Sequence, residues 1–518
     1  MTMKTAMQIR RISRHCVGLA VAALLSSPMA VASDPTGSAG RSEVDVSDRW
    51  ASRSTRVLLA AKSADALPTS RDSLFGDNEP EAAADQQPAS RESLFGDDRP
   101  SPPQAAAIDE QSSARAAAFK GFIQNVMAYD WPKPRHWSEM MTRVDLSTQG
   151  DLGNHVKWKL GARVDYDATY TFTDFYPQAV ADNQRFNVLL RENYLDVGAG
   201  DWDFRLGRQQ IVWGEMVGLL FGDVVSAKDM RQFILPTFDI LRIPQWAARA
   251  EYFKNDFHAE LVWIPVASYD NIGKPGSEFF AYTPPPPPGV ASMFRNEKIP
   301  ARSLDNTNYG LRLSMLRDGW DVAGFAYSSM SVAPTFYRAI VTDPLPTVIY
   351  QARHDRINQL GGTLGKDFGS LVLKGEMVYT RGRNYEVTNA TDVNGVVPQN
   401  TLLWVLGLDF NQFADTRINM QIFQNHFFNH DPDIIPLGKE YGYSLLLNHK
   451  FSDKVEAQAL WIASLNRTDW MLRPRVNWNF EKNWGLAVGV DIFKGSPEGY
   501  FGRYDAKDRV YTEILYNF

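Results

Sequence analysis

The 518-residue chain has one cysteine, Cys16, which lies inside an apolar run near the N-terminus and not at a cleavage site. Lipid attachment is therefore not expected, and without that segment no disulfide or thiolate metal site can form. Cationic excess is missing too: 54 Lys and Arg face 60 Asp and Glu, a net charge of −6, which argues against nucleic acid as a partner. After the N-terminal run, no apolar stretch approaches the roughly 18 residues of a membrane-spanning helix. Local catalytic motifs are scarce as well. No Gly-x-Ser-x-Gly elbow occurs, and the phosphate-loop-like stretch from Gly361 to Asp367 is one residue short, with Asp in place of the hydroxyl residue. It reads as a strand end and turn. His426, His430, Asp431 and Asp433 span a strand end and a loop, where helical i, i+4 spacing has no meaning, so they read as a polar rim. Neither a metal, a cofactor nor an enzymatic activity is expected, although a barrel that assembles Ser and His across strands for lipid hydrolysis stays open.

What is present begins with a leader. Lys4, Arg10, Arg11 and Arg14 precede the apolar run Cys16 to Leu25, and Ala30-Val31-Ala32 offers a small-residue cleavage site. Residues 1–32 read as a secretory signal peptide, whose removal takes the net charge from −6 to −10. Residues 33–118 are rich in Ala, Ser, Asp, Pro and Gln, show no sustained period and are expected to be disordered. They carry a repeat, Ser-Arg-Asp-Ser-Leu-Phe-Gly-Asp and then Ser-Arg-Glu-Ser-Leu-Phe-Gly-Asp, in which Leu74, Phe75, Leu94 and Phe95 form two apolar pairs framed by charge. Two such copies on a flexible tether suit bivalent docking of a periplasmic partner, or are a duplicated linker.

From Phe119 to Phe518 the dominant period is two. Val156 to Phe172 alternates apolar residues with Lys157, Lys159, Arg163, Asp165 and Asp167, which predicts one strand with a lipid face and a water face. Trp470 to Phe480 and Trp484 to Ile492 repeat the pattern, with a bulge or kink expected at Pro474. The final residues alternate likewise and end on Phe518, with Tyr516 two residues before, which resembles the terminal signal read by the outer-membrane barrel assembly machinery. Eight short polar turns separate longer connections: Gly150–Gly153, Gly200–Asp201, Lys254–Asp256, Arg317–Gly319, Lys366–Gly369, Ala414–Thr416, Ser452–Lys454 and Glu481–Asn483. Eight turns and one more strand at each end predict an all-β, antiparallel transmembrane barrel of about 18 strands (16–18) among outer-membrane lipids, with both termini periplasmic.

Two loops depart from a polar exterior. Glu215 to Pro244 is half large apolar residues, so it is expected to enter the lumen or cap the mouth and to present Leu219, Phe221, Phe233 and Phe238 as an apolar solute contact; packing on neighbouring loops alone is the other reading. Ala267 to Asn306 carries the five prolines Pro284–Pro288, expected as a stiff rod. Lys157, Lys159, Arg163, Arg205, Arg473 and Arg475 are candidate lumen cations, with Asp165, Asp167 and Glu456 as acidic neighbours.

The stretch Leu206-Gly207-Arg208-Gln209-Gln210-Ile211-Val212-Trp213-Gly214-Glu215, continuing in Arg242-Ile243-Pro244-Gln245-Trp246-Ala247-Ala248-Arg249, resembles a proteobacterial outer-membrane β-barrel family known as domain of unknown function 1302. The resemblance spans about Phe119 to Phe518 and omits the N-terminal arm. It implies transport of a hydrophobic small molecule or lipid across the outer membrane, with a periplasmic carrier protein and an inner-membrane resistance-nodulation-division transporter as partners. It brings no established site residues. The alternatives are a general or anion-preferring diffusion porin, a lipid hydrolase and a structural or adhesive barrel.

Overall fold

In hydrocarbon every backbone N–H and C=O must be paired within the protein, so a chain whose apolar residues recur at every second position can span a bilayer only as a closed barrel. The computed structural model describes residues 119–518, apart from Asn154, Glu215, 217–221, Tyr282, Pro285, Pro287 and Ala390. The expected leader, the expected arm with Leu74, Phe75, Leu94 and Phe95, and the loop residues Leu219 and Phe221 lie outside the described residues.

Eighteen strands form the wall. They are β1 (Phe119–Asp130), β2 (His136–Asp151), β3 (Val156–Asp167), β4 in two pieces (Phe186–Leu190 and Asn193–Ala199), β5 (Trp202–Gln209) and β6 (Gln245–Lys254). Then come β7 (Phe257–Val266), β8 (Asn308–Arg317), β9 (Trp320–Met330), β10 (Arg356–Asp367), β11 (Leu371–Glu386) and β12 (Val396–Phe413). The circuit ends with β13 (Thr416–Phe428), β14 (Lys439–Ser452), β15 (Val455–Ser464), β16 (Asp469–Glu481), β17 (Trp484–Gly495) and β18 (Arg509–Asn517). Each strand pairs antiparallel with the next, and β18 returns to β1 from Phe122↔Asn517 to Asp130↔Arg509. Gly121 and Phe518 close the seam by exchanging backbone hydrogen bonds of 3.0 Å in both directions. The expected 18-stranded barrel is therefore observed. Both pieces of β4 pair with β3, and at the break between them the Asn193 side-chain amide donates to the Gly161 carbonyl at 2.8 Å and accepts from its N–H at 3.3 Å.

All eight expected turns lie at one end of the barrel, together with Phe119 and Phe518. Asp318 and Gly319 both have positive φ, 50° and 72°, as a type I′ hairpin requires. The nine longer connections, 131–135, 168–185, 210–244, 267–307, 331–355, 387–395, 429–438, 465–468 and 496–508, lie at the other end. Two of them build a small sheet of their own. Thr347–Arg353 pairs antiparallel with Thr335–Val341 and parallel with Ala291–Phe294, over an apolar core of Phe336, Val348 and Tyr350. The first of the five prolines joins it, since the Tyr350 hydroxyl donates to the Pro284 carbonyl at 2.7 Å.

The wall is inverted relative to a soluble protein. Leu160, Leu206, Leu261, Leu313, Leu360, Leu406 and Ile422 are exposed, as lipid contact demands, whereas Gln124, Arg143, Asp165, Glu251, Lys374, Asn419 and Asp491 are buried on the inner face. Exposed tryptophans bracket the apolar belt: Trp202, Trp320, Trp478 and Trp484 at the short-turn end, Trp137, Trp246, Trp263 and Trp461 at the loop end. Indole rings favour that interfacial position.

One local expectation is corrected and another is narrowed. The third strand ends at Asp167 rather than Phe172, because the Asp167 carboxylate accepts from the N–H groups of Met140 and Thr169 at 3.0 Å and a short helical turn, Thr169–Phe172, follows. No bulge forms at Pro474. Its register with β15 is unbroken, and pairing with β17 resumes in the same register at Arg475↔Gly489 after a local gap.

Candidate functional site: the segment that crosses the lumen

Chain leaving β5 at Gln209 does not return along the wall. The first bends bring Gly214 and Gly222 together and against Glu376 of β11; a Cβ on Gly214 would stand 2.6 Å from Gly222 backbone, and one on Gly222 would stand 2.3 Å from Glu376 Oε2. Met216 reaches β12, where it packs with Val405 and where a Cβ on Gly407 would meet its Cε at 2.9 Å. Further on, the segment touches β3 and the break in β4: Arg163 Nη1 donates to the Ile240 carbonyl at 3.0 Å, and Arg191 donates to the carbonyls of Arg242 and Asp239 at 2.7 and 2.6 Å. Strands β3 and β12 are nine places apart in a ring of eighteen. The segment 210–244 thus crosses the bore.

Apolar residues of the segment dock on an apolar patch of the inner wall made by Val405, Ile462, Met471 and Phe493. Phe233 is the centre of this contact. Only 4% exposed, it lies 4.9 Å from the Tyr504 ring, stacks on Phe279 at 6.0 Å, and meets Phe493 and Phe501 edge-on. Its backbone has φ 55° and ψ −139°, a conformation costly for any side chain bearing a Cβ. Ring packing over-determines the position and holds that strain in place. Phe238 is half-buried, with the Arg242 guanidinium 5.6 Å from its ring centroid. Leu235 is buried beside Phe233.

The segment is also tied electrostatically. Asp229 accepts from Arg231 Nε and Nη2 at 2.8 and 2.5 Å, and Met230 N–H donates to the carbonyl of Asn271 in the 267–307 connection at 2.8 Å. Burial alone would raise the Asp229 carboxyl, but the charge of Arg231, with Arg163 behind it, holds it below its ordinary value; Asp229 in turn holds buried Arg231 above its own. Arg242 Nε lies 3.0 Å from Asp223 Oδ2, closing the base of the segment.

Each proposed lumen cation has a definite place. Lys157 is exposed near the short-turn end of β3, while Lys159 Nζ lies 2.5 Å from Glu192. Arg163 lies 3.3 Å from Asp165 and Arg205 pairs with Asp196 over the Tyr194 ring. Arg473 bonds Asp491 at 2.7 Å and donates to the Leu235 carbonyl at 2.8 Å; Arg475 lies 3.3 Å from Glu513. Lys159, Arg163, Arg205, Arg473 and Arg475 therefore face carboxylates, and Arg163 and Arg473 also anchor the crossing segment. With Lys374–Asp409 at 2.7 Å and Arg249–Glu251 at 3.0 Å, the inner wall is a mixed-sign ladder rather than a ring of one charge. The sequence reading did not single out Arg191, which falls at the break in β4, nor Glu139 and Asp491, which flank Arg509 at 2.9 and 2.8 Å. His430 and Asp433 do not converge: His430 Nε2 meets the Pro436 carbonyl and Asp433 accepts from Asn389.

No curated protein matches the chain. Solved structures similar to it include Acinetobacter baumannii OccAB1 (9% identity, TM-score 0.49, covering 79% of this chain and 98% of that one) and OccAB2 (11%, 0.47, 79% and 99%). Pseudomonas aeruginosa OccK8 (OprE) is similar at 9% identity and a TM-score of 0.45, covering 78% and 97%. A family model matches residues 136–518, most of the barrel. This outer-membrane β-barrel belongs to the family described as protein of unknown function DUF1302.

Proposed function

We propose that the protein is a diffusion channel of the outer membrane for small polar solutes, narrowed by the segment 210–244, with the short turns and both chain termini on the periplasmic side. The observation that carries this reading is the crossing itself, from Met216 on β12 to Ile240 beneath Arg163 on β3, inside a wall of paired charges. Paired charges keep the bore hydrated without committing it to anions or cations, because the described residues leave no ring of one sign to set selectivity.

A second reading has one specific support. Val405, Ile462, Met471 and Phe493 form an apolar stripe within the lumen, and a solute able to displace the segment would find about 25 cal/mol of favourable burial for each Å² covered there. That reading is passage of a hydrophobic molecule, with a periplasmic carrier and an inner-membrane transporter as its partners. Reconstitution into planar bilayers and liposomes separates the two. Ion conductance with weak selectivity and swelling in small sugars supports the diffusion channel. A non-conducting protein that nonetheless moves a fluorescent sterol between vesicles would overturn it in favour of the second.

A further inference from the structure

At the loop end, Asp130 closes β1 and His136 opens β2 directly opposite it in register, and Glu278 arrives from the 267–307 connection. All three are buried, and their ligand atoms lie within 4.8 Å of one another, the only such group among the described residues. His136 Nδ1 is 2.7 Å from the Pro134 carbonyl. A carbonyl only accepts, so Nδ1 carries a proton, and in the neutral ring Nε2 then turns its lone pair toward Glu278 Oε1, 2.6 Å away. Two lone pairs at that distance repel unless a cation stands between them. Asp130 Oδ2 lies 4.0 Å from the same nitrogen, and Asp130 Oδ1 is buried without a hydrogen-bond partner among the described residues. A proton on Nε2 bonds Glu278 and is too far from Asp130 Oδ2 to bond it as well.

We infer that Asp130, His136 and Glu278 form a site for a divalent cation of the zinc class, which clasps the 267–307 connection to the rim of the barrel. One imidazole and two carboxylates suit zinc. The surroundings orient the ligands as outer partners of a metal do: Pro134 fixes the tautomer, Phe175 stacks on the imidazole at 3.8 Å, and the Tyr176 hydroxyl donates to Glu278 Oε1 at 2.7 Å. Ligands about 2 Å from zinc stand about 3 Å apart, so Glu278 and His136 part by a few tenths of an ångström on loading. Lys507 Nζ, 2.5 Å from Glu278 Oε2, competes electrostatically with the metal and lowers its affinity. That competition gives a signature which a merely structural ion pair lacks.

The test uses the full chain folded in detergent, stripped with EDTA and titrated with ZnCl2 by calorimetry, with metal content by mass spectrometry. One zinc per chain is expected, weakened by about tenfold or more in Asp130→Asn and in His136→Gln and tightened in Lys507→Met. Heat-modifiable gel migration shows that each variant is folded. Should His136→Gln fail to fold, Asp130→Asn and Lys507→Met still decide. Absence of zinc binding overturns the inference and leaves an imidazolium tie, and binding that neither Asp130→Asn nor Lys507→Met alters overturns it as adventitious.

Discussion

The segment 210–244 meets the barrel wall in two chemically different ways. On β12 and β15 to β17 it docks through Met216, Phe233 and Leu235, packed on inward apolar residues. On β3 and β4 it docks through its carbonyls, which accept from Arg163 and Arg191. The packed side owes its strength to volume, so it fails when a ring is removed. The guanidinium side owes its strength to direction, and each bond can be lost singly for about 1–3 kcal/mol. A constriction held this way has one firm edge and one adjustable edge.

That contrast can be broken outright by replacing residues 215–236 with a short Gly-Ser link. Conductance in planar bilayers should rise several-fold, with gel migration of the folded barrel unchanged; an equal conductance would mean that the segment does not limit flow. Next in size is Phe233→Ala, which removes the central ring while keeping the costly backbone, and should destabilise the docked segment by roughly 3–5 kcal/mol. Faster hydrogen exchange across residues 227–243, with exchange in the wall strands unaltered, is the expected outcome.

Arg473→Met sharpens the comparison from within the packed edge, where one guanidinium of β16 reinforces the apolar contact. It removes the bond to the Leu235 carbonyl but leaves Asp491 paired with Arg509 at 2.8 Å, so a loss of only about 1–3 kcal/mol and little change in ion selectivity are expected. Reversal-potential measurements in a salt gradient check the second part. The smallest effect concerns acid. Because the folded Asp229 carboxyl is depressed, its pairing with Arg231 contributes stability that is fully present above the unfolded value near 4 and is lost as pH falls through the lower folded value. Segment mobility should therefore rise only in strong acid, and Asp229→Asn should abolish that rise.

The wall was legible in the sequence because lipid and water impose period two on opposite faces, and because turns such as Asp318-Gly319 carry their own chemistry. The end of β3 was not legible, since Asp167 captures amides that no periodicity announces. Phe233 stood out as an apolar residue in a loop, but its partners did not. Val405, Ile462, Met471 and Phe493 come from four strands and interrupt the polar rule for inward positions. Nor do Lys159, Arg205, Arg473 and Arg475 declare in sequence which carboxylate each will meet. Asp130 and His136 are register partners, yet Glu278 joins His136 across 142 residues. Pairwise spacing carries no trace of that meeting.

The seam between β1 and β18 has a consequence for how the barrel comes into being. Gln124 and Glu513, bonded at 2.9 Å across it, are 389 residues apart in the chain, whereas most other neighbouring strands are joined by a hairpin or a modest loop. For an unguided polymer, bringing such distant ends together costs roughly 5 kcal/mol of chain entropy, returned only when the last ladder forms. Closure is therefore the step that an external template would accelerate most, and the rate at which open sheets become sealed cylinders should respond to the residues of β18 far more than to those of any interior strand.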